Sequence, residues 1–338
     1  MSTPETAPRH GLGDPRIPWI IMLDTATDQV PPAAIVAERL GELAARAGWP
    51  ALAPDSVVAG ERRALLGTLS ADGAHVIRVG LHEDGLLVAG RHDALDGLAL
   101  LACAEHLLGV RLRSAARGVG ERVGAGRRAL IERAWEVAAR PPARVAPASL
   151  PLTAAVQDAF ARTTLDATPR TADLVLAGAR AVARWNADHG TSARRVCVAV
   201  GVSTVGGDTA DLADRSGFLR LRDVERLEPD DVRAALASAP LQPGAGAARR
   251  PSALLGAVVR LAAPRLGSTL LVSHIGSIEA DSAVSSQDLY PLSGGGSGLS
   301  LGAVTIRGLT TVTLRARGRT HDDQGLEQLL ALVVDAIG

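Results

Sequence analysis

The run PPARVAPASLPL, between Arg140 and Leu152, limits the fold of this chain more than any other feature. Its four prolines fix φ and withdraw backbone donors, so neither a helix nor a paired strand passes through it. It falls near the middle of 338 residues, and at roughly 150 residues per domain each side can close a core of its own. The sequence therefore predicts an N-terminal half over residues 1–140, a Pro-rich linker over 141–152 and a C-terminal half over 153–338.

Both halves carry strand and helix patterns. In the first, Trp19 to Leu23 is a short apolar strand. Ile35, Val36, Leu40, Leu43, Ala44 and Ala47 then recur at helical spacing from Pro32 to Gly48. HVIRVGL and LLVAGR form a hairpin around HEDG, where Gly85 is available for positive φ, and the helix LDGLALLACAEHLL follows. In the second half TADLVLAGARAVARWNADHG is a helix with Leu174, Gly178, Ala181 and Trp185 on one face, closed at Gly190, and RVCVAVGVS is a strand. Beyond LQPGAGAARRP come another helix and the strands TLLVSHIGS, AVTIRG and TTVTLRAR. In the closing helix Leu326, Leu329, Leu330, Val333, Val334 and Ile337 make one stripe. Strands with helices laid on them, twice over, predict an α/β chain of two-layer sandwiches.

Composition narrows function. Lys+Arg and Asp+Glu both number 36, there is no lysine, and aromatic residues make up 2% of the chain. Neither a single-sign field for a polyanion nor a stacking platform for bases is on offer, so no nucleic-acid partner is expected. The apolar IPWIIML near the N-terminus is too short to span a bilayer, and the expected location is cytoplasmic with no membrane span. Cys103 and Cys197 lie far apart in apolar runs and read as buried hydrophobes, with no disulfide or metal site.

The chemistry concentrates in RHDALDGLALL. His92, Asp96 and Gly97 form His-x-x-x-Asp-Gly, a pattern that residue frequencies alone would give about 0.06 times in such a chain. It sits where a strand ends and a helix begins, a place that presents one polar side chain while its neighbours stay buried. An imidazole there can act as a general base near neutral pH. The plainer reading is a loop histidine with Asp96 as the helix N-cap.

RHDALDGLALL resembles the His-His-x-x-x-Asp-Gly signature of the superfamily that holds chloramphenicol acetyltransferase, nonribosomal peptide condensation domains, plant acyltransferases and related polyketide-associated acyltransferases. The order of elements is similar too, from the hairpin before the motif to LVSHIGS and LYPLSGGGSGLSLGAVTIRGLTTVTLRARG. The resemblance implies two chloramphenicol-acetyltransferase-like halves in a pseudo-dimer, with the active site between them. It makes His92 the base, Asp96 a structural carboxylate paired with a buried arginine, and Gly97 the residue of a tight turn. It also places Ser273 where relatives carry a serine that helps hold the oxyanion, against the plainer reading of a strand hydroxyl bonded to backbone, and strand alternation points His274 to the other face. Arg91 stands where the signature has its first histidine, the Asp-Phe-Gly-Trp-Gly motif is absent, and the chain is shorter than a typical two-half member.

The implied reaction is acyl transfer from an acyl-CoA or an acyl-carrier-protein phosphopantetheine thioester to a small-molecule hydroxyl or amine acceptor, in specialised-metabolite biosynthesis. No tightly bound cofactor or metal is implied. Two rival readings are a non-catalytic relative that binds a carrier protein or partner, and a dihydrolipoyl-type acyltransferase core, which would assemble into a large cage. Three minor motifs remain. GVGERVGAG, from Gly118 to Gly126, lacks dinucleotide-loop spacing and a preceding strand, and reads as a helix start. SGGGSG, from Ser293 to Gly298, reads as a hairpin approach rather than a phosphate cradle. His75 and His82, on or beside one hairpin, read as surface residues rather than a metal pair.

Overall fold

A computed structural model describes residues 19–120, 136, 139–148, 157–207, 211–243, 267–293 and 298–338. The first half begins with β1 (Ile20–Thr27) and α1 (Ala33–Ala47). Val36, Leu40, Leu43 and Ala44 of α1 are buried, and Gly48 ends the helix in the left-handed region at φ 66°. Next come β2 (Val57–Ala59) and α2 (Arg62–Ser70), whose first turn is capped by Glu61 through the N–H groups of Arg63 and Ala64. The hairpin of β3 (Ile77–His82) and β4 (Gly85–Arg91) leads into α3 (Gly97–Leu108) and β5 (Leu112–Ser114). Gly85 does not have the positive φ expected of it: it starts β4 against the Thr25 carbonyl, where a Cβ would collide.

The second half contains β6 (Asp158–Leu165), α4 (Thr171–Asp188), β7 (Val198–Ser203), β8 (Ser216–Leu221), α5 (Pro229–Ser238) and β9 (Gln242–Pro243). It ends with β10 (Leu270–Ala280), β11 (Val284–Tyr290), β12 (Leu299–Ile306), β13 (Leu309–Arg317) and α6 (Asp323–Ile337). The helix expected after LQPGAGAARRP lies outside the described residues.

Two sheets result. One has the order β11-β1-β4-β3-β2, the other β6-β13-β12-β10-β7-β8-β9, with β5 added beside β10. Each half thus lends a strand to the other: β11 runs antiparallel to β1, and β5 antiparallel to β10. The run from Ser293 to Gly298 is therefore not a hairpin. It carries the chain from β11 in one sheet to β12 in the other, and residues 294–297 lie outside the described set. GVGERVGAG differs from expectation as well. Residues 118–120 are not helical, β5 precedes them, Val119 N–H donates to the Ser203 carbonyl, and the remainder is outside the described residues.

α3 is apolar over most of its surface, with its polar Glu105 and His106 partly exposed, and such a helix is stable only when most of it is covered. Its Leu98, Leu101, Cys103 and Leu107 share a core with Leu23 and Val88 of the first sheet and with Leu271, Ile275 and Val304 of the second. The opposite face of the second sheet is covered by α4 and α6, with Leu174, Trp185, Leu326 and Leu330 buried there. The Pro-rich segment is held against this layer. Ala146 N–H donates to Asn186, the Trp185 indole N–H donates to the Ala146 carbonyl, and Ala143 and Val145 are buried. Among the described residues no helix is long and apolar enough to cross a membrane.

Candidate active site at the start of α3

β4 ends at Arg91 and α3 begins at Gly97, so residues 92–96 turn the chain from the first sheet into the helix between the sheets. The turn is stiff. The Arg91 carbonyl accepts from the N–H groups of Ala94 and Leu95, and His92 N–H donates to the Trp19 carbonyl at 2.7 Å. Arg91 grips Asp93 with two hydrogen bonds of 2.9 and 2.6 Å, so the residue that replaces a histidine serves as a brace.

His92 is 7% exposed, and its Nδ1 lies 3.1 Å from the Leu95 carbonyl oxygen. A carbonyl only accepts, so Nδ1 carries the proton and the lone pair of the neutral ring is on Nε2. Nε2 has no hydrogen-bond partner among the described residues.

Asp96 corrects one expectation. Among the described residues its carboxylate pairs with no arginine side chain: Oδ1 caps α3 through Ala99 N–H at 2.9 Å, and Oδ2 accepts Arg215 N–H at 3.1 Å. The Arg215 guanidinium is half exposed and bound to Asp211. Burial pushes the Asp96 carboxyl above its ordinary range, against the two N–H donors that favour the anion. The buried partner is thus a main-chain dipole from the second half. Gly97 is corrected too. It has no positive φ and makes no special turn, but a Cβ there would lie 3.0 Å from Ile275 Cγ2. Its missing side chain lets β10 approach α3.

β10 alternates as a strand should. Leu271 and Ile275 face the core that contains α3, whereas Leu270 and Val272 face α4. Ser273 is half-buried on the α3 side, and its hydroxyl has no partner among the described residues. Its neighbours in register are Gly201 on β7 and Gly302 on β12; the place a Gly302 side chain would take is filled by the Leu289 carbonyl and Thr313 Oγ1, whereas a Gly201 side chain would meet the Ser273 hydroxyl itself. His274 faces the other way, 3.1 Å from Thr171 Oγ1 at the start of α4. Burial lowers its pKa to about 4. The start of α3 reaches β10 through Gly97 and Ile275, and Ser273 lies two residues along the same face of β10; no hydrogen bond joins His92 to Ser273 among the described residues.

His75 and His82 form no metal pair. His75 is 2.7 Å from Asp72. His82 is buried rather than on the surface, with Nε2 2.9 Å from Asp24 Oδ1. Among the described residues no group of three or more ligating side chains could hold a metal, and Cys103 and Cys197 are buried and not joined in a disulfide. Sequence reasoning missed Arg215 and Leu95, because each contributes through its backbone and a backbone group leaves no signature.

No family model and no curated protein matches this sequence. Solved structures do. The first condensation domain of the calcium-dependent antibiotic synthetase, in complex with substrate analogue 3a, superposes with a TM-score of 0.55 at 16% identity, over 96% of this chain and 91% of that one. The chain has the condensation-domain fold. A mutant starter condensation domain of rhizomide synthetase RzmA, in complex with C8-CoA, gives 0.54 at 15% identity over 98% and 91%. The epimerization domain from the third module of tyrocidine synthetase B gives 0.50 at 12% over 95% and 90%. The expected pseudo-dimer of two sandwich halves is therefore the architecture of this chain, and its condensation-domain fold sets the 92–97 loop against β10 of the opposite half.

Proposed function

We propose that this chain is an acyltransferase in which His92 is the general base, moving an acyl group from a thioester to a hydroxyl or amine. The observation that carries this reading is the bond from His92 Nδ1 to the Leu95 carbonyl, which leaves Nε2 as the proton acceptor. The donor is an acyl-CoA or an acylated phosphopantetheine arm of a carrier protein, and the RzmA domain similar in fold was solved with C8-CoA. The acceptor is a small molecule of specialised metabolism.

In the reaction Nε2 takes the acceptor's proton as its oxygen or nitrogen attacks the thioester carbonyl. The tetrahedral oxyanion needs a donor, and Ser273 fits that role because its hydroxyl has no partner among the described residues and faces α3. Collapse breaks the C–S bond, and the imidazolium returns the proton to the departing thiolate. Asp96 does not touch substrate in this scheme: it holds the loop to the second half.

The test is chromatographic and mass detection of an acylated product when purified protein meets a series of acyl-CoA and acyl-pantetheine donors with hydroxyl and amine acceptors. Product that appears with the native chain and disappears with folded His92→Ala supports the reading. Carrier-protein binding with no turnover across the series would favour the non-catalytic alternative, and a particle of cage-like mass would favour the dihydrolipoyl-type core.

A further inference from the structure

A cavity lies along α3, away from the 92–97 loop. It has a volume of about 430 Å³ and lies between the end of α1, the middle of α3 and residues 211–213. Leu43, Ala47, Ala102 and Leu212 supply an apolar lining. Ala102 and His106 are six and ten residues beyond Asp96, about 9 and 15 Å along the helix axis.

Of its polar groups, only Arg46 lacks a side-chain partner among the described residues. His106 Nε2 is engaged by Glu42 at 2.9 Å. The Asp211 carboxylate is bound to the Arg215 guanidinium, with a shortest contact of 2.7 Å. Arg46 also lines the cavity, yet it has no hydrogen bond or ion pair among the described residues. Glu42, one turn earlier on α1, is turned to His106 instead. A part-apolar, open groove is thus left with an exposed guanidinium at its edge that has no side-chain partner among the described residues. Arginine recognises carboxylates and phosphates through paired, charge-assisted hydrogen bonds, and a volume of this size suits a small molecule.

We infer that this cavity binds a small amphiphilic anion, with its carboxylate or phosphate on Arg46 and a short apolar tail along Leu43, Ala102 and Leu212. The site is separate from the acyl-transfer site, and its binding test does not depend on turnover. It is also connected to that site. Residues 211–213 wall the cavity, and Arg215, two residues on, donates its N–H to Asp96. An occupant that settles this segment also settles the donor that holds the 92–97 loop.

The experiment is calorimetric titration of the full chain with octanoate, octyl phosphate and octanol, together with hydrogen exchange. Saturable binding of octanoate or octyl phosphate is expected, with octanol weaker by about tenfold or more, the worth of one charge-assisted contact. Whichever anion binds identifies the head group. Arg46→Gln is expected to bring that anion down to the octanol level, and Ala102→Leu to weaken all three by filling the groove. Exchange should slow at residues 211–215. Equal binding of anion and alcohol, unchanged anion binding in Arg46→Gln, protection confined to other segments, or no saturable binding at all would each overturn the inference. Melting curves verify that both variants are folded, and because Arg46 is exposed its replacement leaves the core untouched.

Discussion

Replacing Asp96 by alanine tests the main departure of this structure from what its motif implies. Were Asp96 paired with a buried arginine side chain, the variant would strand a charge and lose about 3–5 kcal/mol. The observed partners are two backbone N–H groups, so the cost is different. Loss of the α3 cap costs about 1 kcal/mol. Leaving the half-buried Arg215 N–H unpaired costs about 1–2 kcal/mol. Against this, the variant relieves the burial that already lifts the carboxyl. The net expectation is about 2 kcal/mol, read from urea unfolding, or roughly 4 °C in Tm for a chain of this size.

Asp96→Ser separates the two bonds. Serine caps a helix well but is too short to hold Arg215 N–H as well, so it should recover about 1 kcal/mol of the loss. The pH dependence has a definite sign. The folded-state carboxyl titrates above its unfolded value, so its ionisation opposes folding. The alanine penalty is therefore largest where the carboxyl is protonated in both states, and it shrinks as pH rises through the folded-state value. A loss of 3–5 kcal/mol that serine does not reduce would refute the backbone assignment; no loss at all would refute any structural role.

Four other outcomes follow from the geometry. His92→Ala should keep the fold by circular dichroism and lower acyl-transfer turnover by about 10² to 10⁴, and near-normal rates would remove it from the mechanism. Ser273→Ala should lower kcat by about 10² to 10³ with little change in KM, whereas His274→Asn, on the α4 side of the strand, should stay near native; the reverse pattern would mean that His274 is the group facing the substrate. His321 is fully enclosed, and burial lowers its pKa to about 4, so between the ordinary 6.5 and 4 the unfolded state binds more protons and stability falls as pH falls, by up to about 3 kcal/mol; His321→Gln should flatten that limb in urea titrations at pH 7 and 5. Asp288, which burial lifts to about 6, acts with the opposite sign: the folded state gains stability as pH falls below 6, so Asp288→Asn should steepen the same limb.

Where sequence reading worked, a periodic signal was present. The stripes of α1, α4 and α6, the hairpin of β3 and β4, and the strand–helix boundary at His92 all follow from the spacing of apolar residues. The alternation of β10 placed Ser273 and His274 on opposite faces for the same reason. What stayed hidden depends on long-range pairing. VSSQDLY has no clean alternation, because β11 is covered on both sides and its buried positions include Gln287 and Asp288. The partner of Asp96 was invisible because a main-chain N–H belongs to no residue type. His82 looked like a hairpin-end surface residue, since nothing local shows that Asp24 lies beside it on another strand.

The least legible part of the chain is also what fixes the site's geometry. Asp24 on β1 and Asp288 on β11 stand directly opposite in register, an arrangement that is unfavourable for like charges in a sheet. Arg62 of α2 bonds both carboxylates and the Tyr290 hydroxyl, while Arg162 of β6 reaches Asp288 at 2.8 Å. Arg63 joins the same helix to Asp323 at the start of α6. A one-residue slip of β11 would turn Asp288 into the apolar core around α3 and break these pairs, so the charges select the register that side-chain hydrophobicity leaves open. β11 leads through residues 291–298 into β12, which lies beside β10. Fixing β11 on β1 therefore fixes how far the second sheet stands from α3. That separation is the distance across which His92 and Ser273 would have to hold one acyl group.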